Sequence, residues 1–187
     1  MTFSRTLVLA MFASLNLLVN TSSTAQKPDS DISKKEQGKS SLAAYEKYID
    51  VHNEAHLKEF MDLISIPSIS SIPSHKTDID KAAAWLVNKL KTIGMTTAQT
   101  IPTDGNPVVY GCWDKAPGKP TVLIYAHYDV QPVKESEWVN PPFTPKVMEG
   151  KLFGRGASDD KSGVMITIWA VEAMLHTDGK LPVNVKF

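Results

Sequence analysis

The chain has 187 residues, 42% hydrophobic and 21% charged, enough apolar material for one buried core. Its 20 basic residues balance 20 acidic ones, so no net field draws in nucleic acid or an anionic membrane, and small partners that are not polyanions are expected. Cys112 is the only cysteine, which rules out an intrachain disulfide and leaves stability to the core, with metal as a further source.

Residues 1–25 read as a secretory signal peptide. Arg5 supplies its positive start, Leu7 to Val19 form an apolar run of about 13 residues, and Ser23-Thr24-Ala25 offer small residues before a cut at Gln26. That run is shorter than the roughly 18–20 residues needed to span a bilayer, so stable membrane insertion is not expected. Export to a periplasm or to the outside follows. Residues 26–44 are polar and are expected to form a solvated linker.

Folded structure is expected over 45–187. Tyr45, Tyr48, Ile49, His52, His56, Phe60, Leu63 and Ile64 recur mostly at three- and four-residue spacing, which predicts an amphipathic helix ending before Pro67. The stretch Ile66-Pro67-Ser68-Ile69-Ser70 is then a loop. A second helix is predicted after Asp78 as N-cap, burying Ala82, Ala83, Leu86, Val87, Leu90 and Ile93 and stopping at Gly94. Strands are predicted at Met95 to Ile101, Pro107 to Trp113 and Thr121 to Ala126. The last of these has no polar alternation, so both of its faces are expected to be buried. A proline-rich loop from Trp138 to Pro145, a short strand Lys151-Leu152-Phe153, a helix from Lys161 to His176 and a strand within Leu181 to Phe187 complete the order. The alternation predicts a layered α/β domain with ligands at the C-terminal ends of its strands.

His127-Tyr128-Asp129 directly follows the buried strand, and Asp159 ends the turn Gly154-Arg155-Gly156-Ala157-Ser158. A neutral imidazole and a carboxylate on sheet-to-loop junctions are what zinc takes as ligands. Asp129 shares a side of the extended segment with His127, where it can accept the ring N–H and orient the other nitrogen toward metal. A lone His there would more often be a hydrogen-bonded structural residue. Asp159 and Asp160 could both be helix caps, but one Asp is enough for that. Asp160 or Ser158 is therefore expected to serve the helix terminus while Asp159 turns into the pocket. Arg155 is expected to pair with a carboxylate and hold the turn, and the Trp138–Phe143 loop either shapes the site's mouth or merely connects.

Two other patterns are rejected. His52 and His56 have helical zinc-protease spacing, but Asn53 stands where that motif needs Glu, so they are expected to line a helix face. Lys161-Ser162 could end a phosphate loop, yet Arg155 and Asp160 stand where its glycines belong.

Taken together, His127-Tyr128-Asp129-Val130-Gln131-Pro132, Trp138 with Pro142-Phe143, Gly150-Lys151-Leu152 and Gly154-Arg155-Gly156-Ala157-Ser158-Asp159-Asp160-Lys161 resemble the zinc aminoacylase and carboxypeptidase family of metallopeptidases. The Asp-Val-Gln-Pro and Asp-Asp-Lys forms are most similar to its dipeptidase branch, which includes carnosine dipeptidases. The resemblance runs from about Tyr45 to Phe187 and implies a three-layer α/β/α catalytic domain, truncated and without the smaller inserted domain that relatives use for dimerisation and closure. It implies two Zn2+ ions, with Mn2+ or Co2+ as substitutes. His127 would ligate one ion, Asp159 would bridge both, and Asp129 would act as the catalytic residue that orients His127. It further implies a Glu pair, another carboxylate and a distant His beyond Phe187, so the chain taken alone is expected to be inactive while the full-length protein hydrolyses small peptides, as a homodimer in one arrangement. Two alternatives stay open: an N-acyl amino acid amidohydrolase with the same metal chemistry, and a non-catalytic binding module using His127 and Asp159.

Overall fold

The computed structural model describes residues 29–187, with side chains from Leu42 onward; the expected signal peptide lies outside the described residues. The first element is helix α1 (Asp29–Ile64). Part of the stretch expected as a polar linker is thus helical, from Asp29 onward. Extending an existing helix costs little, and Lys, Glu, Gln and Ala in this stretch are good helix formers. Among the described side chains, core contacts begin with Leu42 and Tyr45.

A 3-10 turn (Pro73–His75) leads into α2 (Lys76–Thr92), which starts before the predicted Asp78 cap. Asp78 lies in the first turn instead, its Oδ2 2.7 Å from Nδ1 of His75, the N-cap residue. Gly94, at φ 92°, ends α2 with its N–H donated to Lys91 O. Strands β1 (Thr97–Ile101), β2 (Val108–Trp113) and β3 (Thr121–Leu123) follow, then a 3-10 turn (Glu135–Glu137). Next come β4 (Lys146–Met148), β5 (Lys151–Phe153), α3 (Lys161–Asp178) and β6 (Asn184–Lys186). Strand β4 is not among the predicted elements. It pairs with β5 across Glu149 (φ 49°) and Gly150 (φ 74°), two left-handed residues that suit a tight hairpin.

The main sheet has the order β1-β2-β6-β3, with β3 parallel to β6 and the other pairs antiparallel. Helix α3 packs along α1, and α2 lies against β1 and β2. Between them Leu63, Ile64, Ala82, Met165, Ala173 and Val185 are wholly buried, and Phe60 meets Trp169 edge to face at 6.1 Å. The run after Thr121 is not buried on both faces: Leu123 is 72% and Tyr125 88% exposed, whereas Val122 and Ile124 pack on the core. The reason is that the described helices cover only the even-numbered side of this run. Among the described residues no helix is long and apolar enough to cross a membrane.

Candidate metal centre

Beyond β3 the backbone stays extended for one more ladder bond, Ile124 N–H to Lys186 O at 2.7 Å, and then delivers His127 at the sheet's end. The glycine turn after β5 delivers Asp159 to the same place. His127 Nε2 and Asp159 Oδ1 are 3.1 Å apart, although 32 residues separate them in sequence. His127 Nδ1 lies 3.1 Å from Asp129 Oδ1 and 3.2 Å from Asp129 O. Both of those partners are acceptors, so Nδ1 carries a proton and Nε2 is the nitrogen aimed at Asp159. The His127 and Asp129 side chains are 42% and 39% exposed, and that of Asp159 is 75% exposed, so the pair is open to an incoming ion.

The donor set fits a divalent cation. Two ligands each about 2.0–2.2 Å from zinc at a tetrahedral angle lie roughly 3.4 Å apart, close to the spacing found here. With no cation between them, the same contact is an imidazolium–carboxylate pair. Burial works against protonating His127, but the bond to the Asp129 backbone, the charges of Asp129 and Asp160 and the bond to Asp159 outweigh it, and its pKa is raised.

Asp160 is the N-cap residue of α3 yet makes no side-chain cap bond, contrary to expectation. Its Oδ2 instead accepts the His127 backbone N–H at 3.3 Å, and its carboxylate stands over Gly163, where a Cβ would lie 2.2 Å from Oδ1. Ser158 contributes only its carbonyl, which accepts Ser162 Oγ–H at 2.9 Å. Arg155 makes no carboxylate pair: its guanidinium lies 5.2 Å from the centroid of the Trp138 ring, and Nε is buried without a hydrogen-bond partner. Its backbone N–H donates to Pro142 O at 2.7 Å, so the Trp138–Phe143 loop buttresses the turn that carries Asp159.

Residues that sequence reasoning left without a role complete the surroundings. Ser68 Oγ–H donates to Tyr128 O at 2.7 Å, and Ser68 O accepts the Val130 N–H at 2.9 Å. Ser70 Oγ–H donates to Asp129 Oδ2. Lys161, wholly buried, donates its ammonium to Leu63 O at 2.9 Å and Ile66 O at 2.7 Å, and burial brings its pKa down to about 7. A cleft of about 540 Å³ reaches His127 and Asp129 from the side of β2, lined by apolar groups such as Val108, Leu123, Tyr125 and Phe187.

A second set of metal-type donors, His56, Glu59 and Glu172, lies between the helices. A cation is already there: Lys89 Nζ donates to Glu59 at 2.8 Å and Glu172 at 2.9 Å. His56 stacks on Trp169 at 4.9 Å, and its Nε2 is 3.5 Å from Glu172 Oε2. The predicted helix-face role of His56 is thus a buried one, in the packing of α1 on α3.

The sheet end thus presents His127 and Asp159 at 3.1 Å, with Asp129 on the far ring nitrogen, a donor arrangement suited to a divalent metal. The sequence profile described as Peptidase family M20/M25/M40 matches residues 123–187, and the chain belongs to this family. Beta-Ala-His dipeptidase of Rattus norvegicus is 33% identical over 155 residues, which are 75% of this chain and 31% of that protein. Cys-Gly metallodipeptidase DUG1 of Candida albicans is 38% identical, over 69% of this chain and 30% of that one. The crystal structure of human carnosine dipeptidase 1 superposes with a TM-score of 0.72 at 29% identity, covering 78% of this chain and 33% of that chain. An M20 family metallo-carboxypeptidase from Sulfolobus solfataricus, Sso-CP2, gives a TM-score of 0.63 at 36% identity over 70% of this chain and 29% of that one. The chain thus spans about a third of the length of the relatives it matches.

Proposed function

We propose that the whole protein hydrolyses dipeptides or short peptides with two zinc ions, of which His127 ligates one and Asp159 bridges both. The observation that carries this reading is the His127 Nε2 to Asp159 Oδ1 contact, with Nδ1 held by Asp129. Relatives named as dipeptidases support the substrate class. When bound, the metal supplies Lewis acidity to a peptide carbonyl and acidifies water. The chain's own residues do the positioning. Asp129 keeps the proton on Nδ1, so that Nε2 offers its lone pair, and Asp160 holds the His127 backbone against the start of α3. Asp159 offers its carboxylate from an exposed turn.

Export is part of the proposal, supported by Arg5, the Leu7–Val19 run and Ser23-Thr24-Ala25. The test is zinc-dependent release of amino acids from Beta-Ala-His and Cys-Gly by the whole protein. Activity lost in His127→Ala and absent after chelation is expected. Equal activity of wild type and His127→Ala would refute the reading.

A further inference from the structure

The stretch 66–70 follows α1 and carries no regular secondary structure, yet it is fixed at both ends. Lys161 ties its start to α3 through Ile66 O. Further along, Ser68 grips the segment after β3 twice, by Oγ–H to Tyr128 O and by accepting the Val130 N–H. These two bonds bracket Asp129 and fix its backbone. They do not fix its carboxylate, which is 39% exposed and free to turn about its terminal bond. Apart from the His127 Nδ1–H itself on Oδ1, the side-chain contact that holds it is Ser70 Oγ–H on the opposite oxygen, Oδ2.

We infer that Ser70 is a positioning residue for the metal centre: by holding Asp129 Oδ2 it aims Oδ1 at His127 Nδ1 and so presents Nε2 to the ion. This rests on the reading of His127 as a zinc ligand. A carboxylate that backs a ligating His is worth about 10–100-fold in metal affinity. A hydroxyl that orients this carboxylate acts one step further out, and removing it is expected to cost about 3–10-fold. Ser70 is itself exposed, so truncating it opens no cavity and leaves the fold intact.

The experiment is competition for Zn2+ between the whole protein and a chromophoric chelator, in wild type, Ser70→Ala, Ser70→Thr and His127→Ala. Nitrogen NMR of the His127 ring and a thermal melt are recorded for each. Ser70→Ala should bind Zn2+ about 3–10-fold more weakly, exchange its Nδ1 proton faster and melt with the wild type. Ser70→Thr, which keeps the hydroxyl, should restore affinity to within about twofold. Wild-type affinity and Nδ1 exchange in Ser70→Ala, with affinity lost in His127→Ala, would overturn the role of Ser70 alone. Wild-type affinity in His127→Ala would overturn the zinc reading beneath it.

Discussion

Lys161→Met tests how the loop before Ser70 is held. The substitution keeps the length and volume of the side chain while removing the donor to Leu63 O and Ile66 O. In the fold, burial takes the Lys161 pKa from 10.5 to about 7, equivalent to roughly 5 kcal/mol favouring the amine over the ammonium. The unfolded chain keeps the proton to near 10.5 while the fold releases it near 7, so the unfolded state binds more protons in between and stability rises with pH across that window. From pH 7 to pH 9 the gain integrates to about 2 kcal/mol. The methionine variant cannot titrate. Its deficit against wild type, read from urea unfolding at each pH, should therefore widen by that amount between pH 7 and pH 9. Comparing the two proteins cancels the other titrating groups, including Tyr48 and Tyr128, whose pKa values are pushed up to about 12 by burial. Parallel profiles would refute the reasoning and mean that the two carbonyls hold the ammonium at its ordinary pKa.

Asp159→Asn should lower zinc affinity at least about tenfold while changing stability by less than about 0.5 kcal/mol, because the side chain is 75% exposed; chelator competition and a melt measure the two. Gly163→Ala drives a methyl into Asp160 Oδ1, 2.2 Å away, and should cost about 1–3 kcal/mol in urea unfolding. Lys89→Met strips the cation from Glu59 and Glu172 between the helices and should cost about 3–5 kcal/mol. Burial pushes the Glu172 pKa up, but bonds and charge from His56 and Lys89 win and lower it. Its contribution to stability is thus present above the unfolded value of 4.5 and lost as pH falls through the folded value. An acid titration followed by circular dichroism should show that loss shrinking in Lys89→Met.

The candidate metal residues His127 and Asp159 were legible because their signals are local. An apolar run ending in His127-Tyr128-Asp129 and a glycine turn ending in Asp159 each state their own position at a sheet end, and the structure brings them to 3.1 Å. What depends on distant partners was not legible. Ser70 meets Asp129 across 59 residues, and Lys161 meets Ile66 across 95; nothing in the neighbourhood of either residue announces such a contact. The exposure of Leu123 and Tyr125 among the described residues was not legible for the same reason, since an apolar run does not say whether a layer lies on each side. The helix from Asp29 escaped a reading based on apolar spacing because that stretch has too few apolar residues to show a period. Strand β4 escaped because Glu149-Gly150 is a weaker turn signal than Asn-Gly or Asp-Gly.

The bond from the His127 N–H to Asp160 has a consequence for how the chain tolerates change. It joins the His127 backbone to the residue next to Asp159, so covalent bonds and one hydrogen bond link the two candidate ligands. The packing of α1 on α3 feeds into that linkage, because Lys161, the first residue of α3, bonds Leu63 O and Ile66 O at and just past the end of α1. The helix pair is thus also the platform on which the two side chains are spaced, so a substitution that shifts one helix against the other is felt at the sheet end.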